Sequence, residues 1–291
     1  MMEAHPARWW HEAEGGSVVC DLCPRHCQIP EGRCGYCAVR ENRHGILHTL
    51  TYGHPISVAI DPIEKKPLAR FMPRTRTLSF GTYGCNLGCI FCQNDSLSRG
   101  HYGGDAGDLI TPEQIVEAAR HHGCPSISYT YNEPTVFAEY VMEIATLARK
   151  AGLKNVLVSN GYIAPEAADE LYPLMDAANI DLKGFSEEFY SHMCSASLQP
   201  VLDSLYRLYR LGVHLEITTL IIPGKNDSHE ELVDWIHWVE ANLDLSLPLH
   251  FTAYHPAYHC NIPPTSPDSL YAIRDLALKA GCQNVFLGNI R

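Results

Sequence analysis

The sequence predicts an α/β fold, an open or complete βα barrel preceded by a small cysteine-rich unit. Short β-like runs alternate with amphipathic helical stretches from Thr77 onward, giving six or seven units of roughly 35 residues each, the pattern of a parallel sheet. Polar and thiol residues follow the apolar runs, at the strand ends where βα barrels place their chemistry. A doubly wound open sheet shows the same alternation, so periodicity alone leaves closure open.

TLSFGTY is the first strand of this series. TPEQIVEAARHHG reads as a helix, with a Thr cap, Pro at its first position, an early Glu and a terminal Gly. After the strand SISYTY, the segment PTVFAEYVMEIATLARKAG places Val136, Phe137, Tyr140, Val141, Ile144, Leu147 and Ala148 on one helical face. NVLVSN, NIDLKG, HLEITTLIIPG, PLHFTAY and NVFLGNI continue as strands. Between them run the helices APEAADELYPLM, LQPVLDSLYRLYRLG, DSHEELVDWIHWVEAN and SPDSLYAIRDLALKAG. Residues 1–76 read as a separate unit and 77–291 as the barrel. The first unit contains five cysteines, strands in GILHTLTYG and ISVAID, and the basic run KKPLARFMPRTR.

The 291-residue chain carries 22 Lys and Arg against 33 Asp and Glu, a formal net charge of -11. No global field therefore attracts nucleic acid or anionic lipid. MMEAHPARWWHEAEGG lacks the apolar stretch of a signal peptide, and no run is long enough to cross a bilayer, so a cytoplasmic protein without a membrane partner is expected. Of the twelve cysteines, eight fall between Cys20 and Cys92. In a reducing compartment such crowding points to metal or reactivity rather than disulfides; Cys124 and Cys282 read as buried apolar thiols.

GTYGCNLGCIFCQN spaces Cys85, Cys89 and Cys92 as CxxxCxxC directly after a strand. Three thiolates can bind three irons of a 4Fe-4S cluster and leave the fourth iron without a protein ligand. Catalytic metals keep such a position open, whereas structural ones are closed. A zinc knuckle is the alternative for the same spacing.

The loop resembles the radical SAM superfamily, and SYTYNEPT, SNGY, IDLKGFSEEFY, PVLDSL, IIPGKND, HFTAYHPAY and VFLGN extend the likeness over nearly the whole chain. Together with CDLCPRHCQIPEGRCGYCAVR and AIDPIEKKPL they resemble the AmmeMemoRadiSam system radical SAM enzymes, a branch related to pyruvate formate-lyase-activating enzymes. The resemblance implies a partial (β/α)6 TIM-type barrel and an S-adenosylmethionine (SAM) molecule chelated to the open iron. It further implies one-electron cleavage of that SAM to a 5′-deoxyadenosyl radical, with electrons from a partner such as flavodoxin or ferredoxin. It makes Cys85, Cys89 and Cys92 the cluster ligands and puts Phe91 near the adenine. Asn132 and Glu133 would stand where the SAM amino group is received, and Asp181 and Lys183 beside its amino-acid moiety. Ser159, Asn160 and His229 are further SAM contacts by the same resemblance. The substrate stays open among a small molecule, a protein and RNA. An activase that installs a glycyl radical on a partner protein is one alternative, and a zinc-binding adaptor or RNA-binding module is another.

Cys20, Cys23, Cys34 and Cys37 offer two CxxC pairs that match tetrahedral zinc, with Cys27 as the spare; a second iron-sulfur cluster is the competing occupant. Cys194, beyond the fourth strand, and His255, at the end of a late strand near the expected substrate mouth, are the candidate catalytic residues. Tyr129, Tyr131 and Tyr254 are candidates to line the cavity.

Overall fold

The computed structural model describes residues 5–100 and 109–290. Six short strands come first: β1 (His5–Pro6), β2 (Trp10–Glu12), β3 (Val18–Cys20), β4 (Cys27–Ile29), β5 (Arg40–Arg43) and β6 (Ile46–Thr49). They form two antiparallel sheets of three strands, ordered β1-β6-β5 and β2-β3-β4. Sheets this small need something to pack against. Val18, Leu22, Ile29, Val39 and Leu47 supply the contact, joining one apolar core with the barrel's Phe80, Tyr129 and Leu157.

The main sheet contains β7 (Ile56–Pro62), β8 (Arg76–Gly81), β9 (Ser126–Tyr129), β10 (Lys154–Ser159), β11 (Ala177–Asp181), β12 (His214–Ile221), β13 (Pro248–Ala253) and β14 (Asn284–Gly288). The strands lie side by side in sequence order. All neighbours from β8 to β14 are parallel, and β7 runs antiparallel to β8. The ISVAID segment, grouped by sequence with the N-terminal unit, is thus the edge strand of the main sheet. β14 and β7 are not paired with each other, so the sheet is an incomplete barrel of six βα units followed by a last edge strand, β14.

The crossover helices are α1 (Asp95–Ser98), α2 (Pro112–His121), α3 (Ala138–Lys150), α4 (Pro165–Leu171), α5 (Glu187–Cys194), α6 (Gln199–Arg210), α7 (His229–Asn242) and α8 (Pro267–Lys279). Thr111 and Gln114 close a capping box at the start of α2. α3 starts later than its apolar pattern, because Glu133 caps a single 3-10 turn, Pro134–Phe137, that precedes it. Tyr140, Val141, Ile144 and Ala148 then face the core as their spacing predicts, but so does Glu139, which is 3% exposed. Its partner is Arg40 on β5, 1% exposed, at 2.9 Å and 3.1 Å from the two carboxylate oxygens. This buried ion pair fastens the N-terminal unit to the barrel wall. Among the described residues no helix is long and apolar enough to cross a membrane.

Candidate functional site

The cysteine loop leaves β8 at Gly81 and lies across the C-terminal ends of the strands. Three other parts of the chain hold it. Asn132, just beyond β9, accepts from Thr82 N at 2.9 Å and donates to Gly84 O at 2.8 Å and Tyr83 O at 3.1 Å. The last turn of α5 has carbonyls without helical partners, and they accept from the loop instead: Cys194 O from Gly88 N at 2.7 Å and Met193 O from Ile90 N at 3.0 Å. From the N-terminal unit, Arg25 donates to the carbonyl oxygens of Asn86 and Ser195. Gly84, at φ 88°, sits so close to that unit that a Cβ would lie 2.5 Å from Cys37 O. Only glycine adopts this conformation cheaply, and only hydrogen fits the space.

The three thiols differ in their surroundings. Cys89 is buried, and Cys85 and Cys92 are half-buried. Burial pushes the Cys85 and Cys92 thiols up. Against that, Leu87 N lies 3.4 Å and Asn160 Nδ2 3.7 Å from the Cys85 sulfur. The neighbouring Cys194 side chain lowers the Cys89 thiol against the effect of burial, and Cys194 itself is held up by burial. N–H and S–H donors aimed at sulfur favour thiolate, the form that binds metal.

The loop opens on a cavity of about 420 Å³. Most of the residues picked from sequence converge there: Cys85, Cys89, Phe91 and Cys92 from the loop, Asn132 and Glu133 after β9, Ser159 and Asn160 at β10, and Asp181 and Lys183 at β11. Glu133 is 1% exposed, and burial raises its pKa. Its Oε1 accepts from Thr135 N at 2.9 Å and Ser159 Oγ at 2.7 Å, and its Oε2 from Asn160 N at 2.8 Å. Glu133 is therefore both a turn cap and a cavity carboxylate, with acceptor capacity left on Oε2. Lys183, two residues past the end of β11, pairs through Nζ with Asp181 Oδ2 at 3.0 Å. Phe91 packs on Phe189 with ring centroids 5.9 Å apart.

The remaining residues picked from sequence lie in other surroundings. His229 is the first residue of α7, exposed and absent from the cavity lining, because Ser228 provides the cap by accepting from Glu231 N. His255 is exposed, with Nδ1 3.3 Å from Gln93 Nε2, which places it at the rim beside Cys92 rather than inside. Cys194 is fully buried against Cys89. Of the three tyrosines only Tyr131 lines the cavity; Tyr129 bonds Asn155 in the core and Tyr254 bonds Cys260 O. In the N-terminal unit Cys20, Cys23 and Cys37 face one small cavity together with Cys27, whereas Cys34 is exposed on the edge and bridges to Glu41.

Sequence reasoning passed over the other end of the main cavity. Asp61, 5% exposed, accepts from Lys66 at 2.7 Å, Lys65 at 3.0 Å and Tyr131 Oη at 2.5 Å. Although burial opposes it, these three donors hold the Asp61 carboxyl well below its usual range. The ammonium of Lys66 also lies 4.3 Å from the Tyr131 ring centroid. The signal was the AIDPIEKKPL segment, whose chemistry becomes visible once β7 is seen to pair with β8. Among the described residues no group of three or more His, Cys, Asp or Glu is already gathered at metal-binding geometry. Donor identity and position, rather than preformed coordination, therefore decide which groups fit.

Residues 79–236 match the family model of the Radical SAM superfamily. The chain is 42% identical over 285 residues to the uncharacterized protein MJ0808 of Methanocaldococcus jannaschii, covering 98% of this chain and 85% of that one. It is 29% identical over 204 residues to the putative glycyl-radical enzyme activating enzyme MJ1632 of the same organism, covering 68% of this chain and 75% of that one. In three dimensions it resembles a radical SAM methyltransferase from Sphaerobacter thermophilus, with a TM-score of 0.56 at 15% identity, over 76% of this chain and 67% of that one. A partial barrel whose first strand leads into a three-thiol loop, with sequence kinship spanning more than half the chain, identifies this protein as a member of the radical SAM superfamily, whose members are enzymes.

Proposed function

We propose that the chain is a radical SAM enzyme of the AmmeMemoRadiSam branch, with Cys85, Cys89 and Cys92 holding three irons of a 4Fe-4S cluster. The observation that carries the reading is that the three-thiol loop and the polar residues after β9, β10 and β11 open on one cavity. The donor set fits the group: three thiols leave a fourth metal corner free, and each thiol has N–H, O–H or S–H donors nearby. When bound, the reduced cluster supplies the electron that splits SAM into methionine and a 5′-deoxyadenosyl radical.

The chain's own residues bind and orient. Glu133 Oε2 accepts the ammonium of the SAM amino-acid part. Phe91 and the backbone around it receive the adenine, while Asp181, Lys183, Ser159 and Asn160 set the remaining polar contacts. Asn132 acts through the loop, because its side-chain hydrogen bonds are already committed to Thr82, Tyr83 and Gly84. A low-potential protein such as flavodoxin or ferredoxin supplies the electron, and the substrate enters at the rim near His255. The test is anaerobic reconstitution with dithionite: the protein converts SAM to 5′-deoxyadenosine and methionine, and Cys89→Ala abolishes this. Turnover retained by Cys89→Ala refutes the ligand assignment.

Similarity to MJ1632 favours one narrower reading, activation of a glycyl-radical partner. That reading requires a glycyl doublet in electron paramagnetic resonance when the reduced enzyme, SAM and a candidate partner are mixed.

A further inference from the structure

A second thiol cluster lies behind the radical loop. Cys20 and Cys27 are directly opposite each other on the β3–β4 ladder, within side-chain reach across the sheet. Cys23 comes from the turn between them and Cys37 from the turn before β5. All four line one cavity of about 20 Å³, with Arg40 beside them. Cys34 points elsewhere, among Arg33, Glu41 and Arg43.

Arg40 provides the second observation. Its guanidinium is 1% exposed, with Nη1 on Glu139 and Nη2 on Arg8 O at 2.6 Å. Its Nε has no hydrogen-bond partner, and Cys20 and Cys37 are the cavity groups that interact with its charge. A buried cationic donor left unsatisfied beside neutral thiols is costly. Four thiolates around a divalent ion carry a net charge of about −2 and complement that donor.

We propose that Cys20, Cys23, Cys27 and Cys37 bind a single tetrahedral zinc ion, and that this closed knuckle is the rigid backing of the radical loop. Four sulfur donors select zinc or an iron-sulfur cluster. Four thiols facing a cavity of about 20 Å³ suit one small tetrahedral ion, whose four positions they fill completely, and the iron content per chain separates it from a cluster. Rotation of the cysteine side chains about χ1 closes the quartet on the ion. The backing role follows from what lies within the knuckle. Leu22 O accepts from Ala164 N at 3.0 Å, Arg25 holds Asn86 and Ser195, Tyr36 covers Gly88, and Cys37 O abuts Gly84. Every one of these contacts comes from residues 22–37, the last proposed ligand included, and they reach the loop, the start of α4 or the end of α5.

The test uses the full-length chain with Cys85, Cys89 and Cys92 all changed to Ala, so that the radical loop holds no metal and failure of the cluster reading cannot be mistaken for failure of this one. Purified from cells supplied with zinc and iron, this variant retains about one zinc per chain, and X-ray absorption gives four sulfurs near 2.3 Å. Adding Cys34→Ala leaves both unchanged. Adding Cys27→Ser lowers zinc affinity at least tenfold in a chelator competition, and Cys27→His, which keeps a tetrahedral ligand, restores zinc with three sulfurs and one nitrogen. Absence of metal, several irons per chain, or loss of zinc with Cys34→Ala but not Cys27→Ser overturns the site. In the otherwise unaltered protein, chelation of this zinc speeds amide hydrogen exchange across residues 82–94 at least tenfold. Exchange that stays the same overturns the backing role.

Discussion

Glu139→Ala is the most direct probe of how the N-terminal unit is held. The wild-type carboxylate accepts from Arg40 Nη1 at 2.9 Å and 3.1 Å and from Arg8 N at 2.8 Å, with both side chains almost wholly buried. Alanine removes all three bonds and leaves the guanidinium of Arg40, 1% exposed, without its carboxylate. Losing one partner of a buried pair costs about 3–5 kcal/mol. Unfolding entropy of about 2.1 cal/mol/K per residue gives roughly 0.6 kcal/mol/K for a chain of this length, so the melting temperature falls by about 5–8 °C. Calorimetry with and without zinc reads it. On the proposal that zinc fills the N-terminal thiol site, the fall is smaller in its presence, because the thiolate-rich site would give Arg40 a second anionic neighbour. Glu139→Gln, which keeps an acceptor oxygen, loses less than Glu139→Ala, and Arg40→Met with Glu139→Met recovers most of the loss by removing both charges. A melting temperature within about 1 °C of wild type for Glu139→Ala in both metal states refutes the reasoning.

Two further outcomes follow from local geometry. Gly84→Ala combines a left-handed backbone with a Cβ 2.5 Å from Cys37 O; it lowers stability by more than about 2 kcal/mol and reduces iron incorporated on reconstitution. Gly123→Ala, left-handed at φ 64° but with nothing within 4 Å, loses only about 1 kcal/mol and keeps full iron content. Glu216, fully buried, accepts from Ala69 N, Arg70 N, His214 Nε2 and His250 Nε2. Burial opposes its ionisation, but these four partners bring it down from 4.5 to about 2. A carboxyl lowered by folding contributes stability above its unfolded pKa and loses it as pH falls through the folded one. About 3 kcal/mol of stability therefore disappears between pH 4.5 and pH 2, and denaturant melts of Glu216→Gln show a flatter acid limb over that window. An unchanged limb refutes the assignment.

What was legible in the sequence was whatever repeats or clusters locally. The alternation of strands and helices, the capping of α2 and the three-thiol loop each depend on neighbours within a few residues, and spacing reports them. Groups meeting from distant parts of the chain leave no such trace. Glu139 falls on the apolar stripe of α3 and looks like an interruption until Arg40, 99 residues away, is brought against it. Cys27 looked like the spare thiol because Cys34 and Cys37 form a second CxxC. The antiparallel pairing of β3 with β4 instead faces Cys27 to Cys20 and leaves Cys34 on the edge. His229 has the right strand-end address for a cavity residue, but the turn at Ser228 starts a helix and carries its side chain outward. Asp61 and Lys66 belong to the cavity because β7 runs antiparallel along β8, a reversal that hydrophobic pattern alone does not report.

The way the loop is held bears on what reaches its thiols. Asn132 fixes its start, the C-terminal turn of α5 binds its middle, and the N-terminal unit presses on Gly84 and holds Asn86. The α5 support uses backbone groups that would otherwise be unsatisfied, the loop N–H groups of Gly88 and Ile90 and the terminal carbonyls of α5, so loosening the loop exposes both partners at once. The side left open is the one facing Glu133, Asp181 and Lys183. A ligand bound between those residues and the sulfurs meets a frame already rigid on its other sides, and little of its binding energy is spent on ordering the loop. That is the arrangement a reactive species needs, because a loop free to shift would admit water or misdirect the reacting atom.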